Sequence, residues 1–395
     1  MALIFVDGFD HYHPINASMK YGAGLSSGSY SWSATGGRRD GGCISLGICE
    51  LAKTIFPMEN LIMGVAVRFN GEQQAFKQPF IRIYAYSSLQ FYLALGTDGT
   101  IEVYRGDDYF MSTGVKVLER ETWYYIELKA RVNSTDGNIL IRIDEEDEIY
   151  IEPDNTSQGG YYYTNKIVLC NNCNPPTTSF DDFYINTIDD VVNNKFLGDS
   201  RVDTLFPAAP GAFTEWTPSS GQNWECIDDP VYDPNDHIDD IAIAGNNDSY
   251  FLQTCPDLYR IFGIQLNMFA ISQKPGAYTH VWRHVIYIGD ERYESDGSYW
   301  SSPVYADHLG LLQTTPRGVR WTPTKLRSYE FGLYCEQVPS NSYLRIAQFA
   351  IEVLSSCNPS AAEGWPHNFI GLLKESIGSI NSIAKDIIHA VNGVE

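Results

Sequence analysis

Several groups of side chains have the types that chemistry uses. Ser179-Phe180-Asp181-Asp182-Phe183-Tyr184-Ile185 places two adjacent carboxylates inside an apolar run, where an unpaired charge is costly. Asp144, Glu146 and Glu148 alternate and could share one strand face, and two carboxylates can cleave a glycosidic bond. The residues between them, Glu145 and Asp147, are acidic as well. A catalytic strand would bury an apolar opposite face, so this segment reads as a solvated turn with nothing to raise a carboxyl pKa. His280-Val-Trp-Arg-His284 has metalloprotease spacing without the glutamate. Its β-rich neighbours place it on a strand, where residues four apart lie roughly 13 Å from each other, too far to share an ion. Cys170-Asn-Asn-Cys173 has no second cysteine pair, as structural zinc would need. Asp228, Asp229, Asp233, Asp236, Asp239 and Asp240 crowd into 13 residues and could hold Ca²⁺. They lack the D-x-D-x-D-G order, and a solvated acidic linker fits them better. Gly22-Ala-Gly24-Leu-Ser-Ser-Gly28 misses dinucleotide spacing by one residue, and there is no G-x-S-x-G elbow.

The elements around these groups are short strands. Leu61–Phe69 and Phe80–Tyr86 are β-rich. Leu89–Leu95 and Ile101–Tyr104 flank a turn centred on Asp98-Gly99, and Trp123–Val132 and Asn138–Ile143 flank another ending at Gly137. Glu148–Ile151, Lys166–Leu169 and Phe180–Ile185 follow. A polar, proline-containing stretch from about 189 to 224 reads as a junction. Tyr259–Ile271, His280–Ile288, Arg320–Trp321, Tyr329–Glu336 and Tyr343–Leu354 then form a second β-rich unit. The expected fold is mainly β: two tandem β-sandwich (jelly-roll) domains followed by a C-terminal α-helix. The domains fall at 1–190 and 226–358, with a junction at 191–225 and the helix at 364–393.

That helix carries a heptad seam. Ile370, Leu373, Ile377, Ile380, Ala384, Ile387 and Val391 are spaced 3, 4, 3, 4, 3, 4. Isoleucine at both kinds of core position favours trimers or tetramers. Gly371 and Gly378 each weaken the helix by about 1 kcal/mol, so it needs a partner: its own β-domain, other copies of the chain, or another protein.

Composition narrows the function. The 395 residues are 44% hydrophobic, enough to build real cores, and carry a formal net charge of −22. Such an acidic balance argues against nucleic acid or an anionic membrane as partner. Arg317, Arg320, Lys325 and Arg327 around Trp321 are the local exception and read as the solvated face of a hairpin. No apolar run is long enough to span a membrane. The opening Met-Ala-Leu-Ile-Phe-Val-Asp lacks the basic start of a signal peptide. Synthesis in a cytoplasm is expected, with the eight cysteines mostly as thiols.

The first 190 residues resemble a LamG-like or concanavalin-like jelly roll. The likeness rests on Phe5-Val-Asp-Gly-Phe-Asp-His-Tyr12, Leu95-Gly-Thr-Asp-Gly99, Glu121-Thr-Trp-Tyr-Tyr-Ile-Glu-Leu128, Ile139-Leu-Ile-Arg-Ile-Asp144 and Phe180-Asp-Asp-Phe-Tyr-Ile185. The continuation Phe196-Leu-Gly-Asp-Ser-Arg-Val202, Leu205-Phe-Pro207, Trp216-Thr-Pro218 and Trp224 is similar to a set of structural proteins of tailed bacteriophages. The likeness covers about residues 1–355. It implies a non-enzymatic virion component, an exposed fibre, appendage or decoration, held through the C-terminal helix by other virion proteins and its own copies. The alternative is a module binding a glycan or receptor on a host surface, with Tyr162 and Tyr163 (of Tyr161-Tyr-Tyr163), Tyr299 and Trp300 as contacts. A polysaccharide-degrading enzyme is the third reading. The E-x-D-x-x-E order of family 16 glycoside hydrolases is missing.

Within this frame Phe180–Ile185 closes the first sandwich and Leu3–Val6 runs beside it. Asp181 and Asp182 then sit at the strand's start, one facing solvent and one accepting turn N–H groups. No cofactor is expected. The alternative is a Ca²⁺ ion held by Asp7, Asp10, Asp181 and Asp182.

Overall fold

The computed structural model describes residues 3–11, 20–21, 28–72, 74–106, 108–172, 178–188, 191–231, 233–239, 244–254, 260–272, 280–295, 298–300, 306–337 and 344–357. The heptad seam from Ile370 to Val391 lies outside these residues, and so do Cys173 and Asp240.

The described chain is mainly β, in several antiparallel sheets. Its strands begin β1 (Leu3–Asp7), β2 (Tyr30–Ser33), β3 (Cys43–Leu46), β4 (Cys49–Met58), β5 (Asn60–Phe69), β6 (Gln78–Ala85) and β7 (Ser88–Leu95). They continue β8 (Ile101–Arg105), β9 (Phe110–Thr113), β10 (Trp123–Arg131), β11 (Gly137–Ile143), β12 (Glu146–Asp154), β13 (Thr164–Asn171) and β14 (Thr178–Asn186). The first sheet has the order β12-β11-β10-β5-β14-β3-β2, with β1 also on β14. The second sheet is β4-β13-β6-β7-β8-β9.

Period-two alternation explains why these two sheets meet. In β6 to β8, Ile81, Ile83, Phe91, Leu93, Ile101 and Val103 point one way and are buried. They pack against Val65, Phe69, Ile126, Leu128, Ile141 and Phe183 of the first sheet in one continuous core. Each such side chain contributes about 1.5–3 kcal/mol by leaving water.

The later strands are β15 (Ser200–Leu205), β16 (Pro207–Thr214), β17 (Thr217–Pro218), β18 (Ile238–Asp239), β19 (Asn247–Leu252) and β20 (Ile261–Ser272). After them come β21 (His280–Ile288), β22 (Glu291–Glu294), β23 (Ser298–Trp300), β24 (Ala306–Leu312), β25 (Glu330–Gln337) and β26 (Leu344–Ser356). The third sheet is β17-β18-β26-β20-β24 with β15 on β26; the fourth is β16-β19-β25-β21-β22 with β23 on β21. Trp216, Leu266, Trp282, Trp321, Phe331 and Phe349 share the core between them. The stretch read as a junction therefore holds β15, β16 and β17. Of the basic residues around Trp321, Arg317 and Arg320 lie in a tight turn closed by the antiparallel bridge Thr314–Arg320, while Lys325 and Arg327 lie beyond it. Pro323–Ser328 is a short helix, α1, capped by the Thr322 hydroxyl, and Trp321 is buried beside it.

A third apolar cluster joins the two sheet pairs. Leu3, Val6, Ile62, Tyr125 and Tyr184 from the first sheet meet Phe262 and Leu354 from the third, and residues up to Cys357 form one compact unit. Polar groups seal the same contact. The Gln265 amide donates to the Val6 carbonyl at 2.8 Å, and the Gly8 N–H donates to Glu352 at 2.9 Å.

Candidate functional site

The second sheet has one face in the core, and the alternate residues form its outer face. Register sets them in a row: Val168 pairs with Arg82, Arg82 with Tyr92, Tyr92 with Tyr104, and Tyr104 with Phe110. Five strands at about 4.8 Å spacing make this row roughly 19 Å long. Tyr92 and Tyr104 stack with ring centroids 5.1 Å apart, and Phe110 meets Tyr104 edge-on. Rings stacked on neighbouring strands stand on the sheet, and their hydroxyls serve as polar handles.

Charges frame the rings. Lys77 sits 3.8 Å over the Tyr104 ring, donates to the Tyr92 hydroxyl at 2.6 Å and reaches Asp108 at 3.1 Å. Tyr92 donates to Asp108 as well, and Tyr104 donates to Glu102 at 2.8 Å. Arg82 pairs with Glu50, and Lys166 lies 4.4 Å over the Tyr84 ring. Burial, then the bond to Asp108, pushes the Tyr92 hydroxyl well up from its ordinary range. Burial and the bond to Glu102 push Tyr104 up to about 12. Both phenols are therefore protonated donors at neutral pH. Tyr92 itself is buried, with its hydroxyl taken up by Lys77 and Asp108, so the donors and acceptors set side by side are those of Arg82, Lys77, Glu50, Glu102, Tyr104 and Asp108, which suits a polyol.

Tyr86, Tyr161 and Tyr163 cluster where the β6–β7 turn meets the segment before β13, with ring centroids 5.7–5.8 Å apart. Tyr162, beside them in sequence, is 52% exposed. Of the two expected contact residues, Tyr163 has two ring partners, Tyr161 and Tyr86, of which sequence reading missed Tyr86. Tyr299 and Trp300 are in β23, and their side chains lie outside the described residues.

Asp181 and Asp182 are not at a strand's start, and neither faces solvent. They are buried within β14 at a bulge, where Asp182 adopts φ 50°. Asp181 accepts the Arg38 N–H at 2.7 Å, and Asp182 accepts the Val202 N–H at 2.8 Å while pairing with the Arg38 guanidinium at 3.1 Å. The bulge breaks the ladder, and the freed carboxylates find cations and N–H groups from elsewhere in the chain. Asp10 accepts from Gly42, and Asp7 pairs with Lys20 at 3.2 Å. Among the described residues, no three His, Cys, Asp or Glu are placed to share a metal ion.

The acidic turn after β11 is wet. Asp144 pairs with Lys116, Arg142 with Asp147, and Glu148 accepts the Val115 and Lys116 N–H groups. His284 is on a strand, as its neighbours required.

No family model matches the chain, and no curated protein matches it. Among solved structures it is similar to the cellulose-induced protein Cip1, at 14% identity and TM-score 0.36, over 46% of this chain and 96% of that one. It is similar to the alginate lyase Aly36B, at 13% identity and TM-score 0.34, over 47% and 96%. A third is the carbohydrate esterase vb_24B_21 of the Shiga toxin-encoding bacteriophage phi24B, at 10% identity and TM-score 0.31, over 41% and 88%. The expectation of a non-enzymatic virion component is withdrawn on this finding, since these neighbours include a lyase and an esterase. Among the described residues, no helix is long and apolar enough to cross a membrane.

Proposed function

We propose that the chain recognises carbohydrate on the outer face of the second sheet, and that the two sheet pairs are tandem sandwiches of which the first carries the site. The observation that supports this best is the ladder Arg82–Tyr92–Tyr104–Phe110 with Lys77 and Asp108 alongside. A saccharide needs an aromatic surface for its C–H faces, which the half-exposed Phe110 and Tyr104 can give, and paired donors and acceptors for its hydroxyls. The ladder supplies both over a length that takes several sugar units.

The test is affinity electrophoresis of the full chain in gels containing a neutral glucan, a galactan or a polyuronate, with reducing ends assayed in parallel. Retardation by one polymer, weakened about tenfold by Tyr104→Ala or Arg82→Ala at unchanged melting temperature, is expected. Release of reducing ends would add cleavage to recognition. No retardation in any gel would refute the reading.

A further inference from the structure

The tyrosine cluster beside the ladder breaks a local rule. The β6–β7 hairpin closes through Tyr86 and Ser87, with Ala85 paired to Ser88. Two-residue hairpin turns favour Asn or Gly, because their backbone enters the left-handed region. Tyr86 enters that region at φ 54°, where a bulky side chain is a genuine outlier. The protein holds it there: the Tyr86 N–H donates to the buried Asn165 side chain at 2.6 Å. Tyr86 is 57% exposed, and its ring stands edge-on to those of Tyr161 and Tyr163. Gly160, next to Tyr161, has open space above its backbone.

A turn residue that only had to close a hairpin would be asparagine or glycine. Strain kept at an exposed aromatic points to a role for the ring itself. The cluster also lies beyond one end of β6, whose Arg82 belongs to the ladder and whose Tyr84, paired with Lys166, leads toward the turn that holds Tyr86.

We propose that Tyr86, Tyr161 and Tyr163 form a second saccharide contact at the end of this sheet, so that one polymer strand is held at two points. The proposal rests on the reading that the sheet's outer face binds carbohydrate. Glycine accepts φ 54° without strain, so Tyr86→Gly separates the ring from the fold. The variant is expected to melt at or above the wild-type temperature and to bind the retarding polysaccharide about tenfold more weakly. Tyr161→Ala is expected to match it in binding. Wild-type affinity in Tyr86→Gly and Tyr161→Ala, with loss in Tyr104→Ala, would overturn the second contact and leave the ladder standing. A lowered melting temperature with unchanged affinity of the folded fraction would assign the cluster to packing and overturn it too. No retardation of the wild type would overturn both sites.

Discussion

Two of the lysine–tyrosine–aspartate groups among the described residues contrast in setting, one open and one sealed. On the outer face Lys77 meets Tyr92 and Asp108, with the lysine 34% and the aspartate 73% exposed. Between the sheet pairs Lys20 meets Asp7 at 3.2 Å and Glu352 at 2.6 Å, all 0% exposed, and Tyr21 donates to Asp7 at 2.7 Å. The chemistry is nearly the same and the setting is opposite. Glu352 is saturated, taking bonds from Lys20, Gly8, Gln265 and Asn267. His11 beside it is held neutral, its pKa lowered to about 3 by burial and by Lys20. In low dielectric every partner is obligatory, whereas water can replace the partners of the solvent-facing Lys77 and Asp108, with only Tyr92 buried beneath them. The sealed group suits holding two layers together, and the open one suits exchanging a partner for a ligand.

Breaking the sealed group gives the largest expected effect. Lys20→Met strands two buried carboxylates and should cost about 3–5 kcal/mol in urea unfolding. A loss under about 1 kcal/mol would erase the contrast. Next comes pH. Burial, then the carboxylates of Asp182, Asp203 and Glu352, raises Asp10 from 3.8 to about 7, against an opposing bond from the Gly42 N–H. A carboxyl whose folded pKa is raised binds its proton more tightly in the folded state, so its contribution is complete below about 4 and is lost as pH rises through 7. Asp203, raised to about 6 mainly by burial, acts in the same direction. Melting temperature is expected to fall between pH 5 and pH 8, and Asp10→Asn to flatten that fall; an unchanged slope would remove Asp10 as its source. In the open group, Lys77→Ala should change stability by less than about 1 kcal/mol while altering polysaccharide affinity several-fold. Tyr86→Gly should have the smallest effect on stability, within about 0.5 kcal/mol, because relief of left-handed strain offsets glycine's chain entropy.

The same contrast explains what sequence could reveal. Strands β5 to β8 and β10 to β14 were legible because runs rich in β-branched and aromatic residues are bounded by polar turns, two of them marked by Gly99 and Gly137. Strand β16 was not, because Pro207 and Pro210 read as loop, yet prolines are tolerated on an edge, and β16 is an edge strand. For the site, Glu102 between Ile101 and Val103 looks in sequence like Glu127 between Ile126 and Leu128. Glu102 faces the ladder. Glu127 is buried and accepts from Tyr184 and the N–H groups of Leu197 and Gly198, some 70 residues further along. Period-two alternation identifies the faces of a strand, but what covers a face is decided by distant chain. The resemblance to phage structural proteins could not supply that, and the function it implied did not survive the comparisons.

The bond from Gly8 to Glu352 spans 344 positions. At roughly 5–20 residues per second, a ribosome needs about 17–70 s to travel that far. Strand β1 leaves the exit tunnel well before β26, so part of its hydrogen bonding must wait for that strand. During that interval the outer side of the first sheet carries Asp7 and Lys20 without Glu352. Asp7 and Lys20, which later lock the layers, are then wetted by solvent, and charged groups at that half-finished surface make it less adhesive toward neighbouring nascent chains.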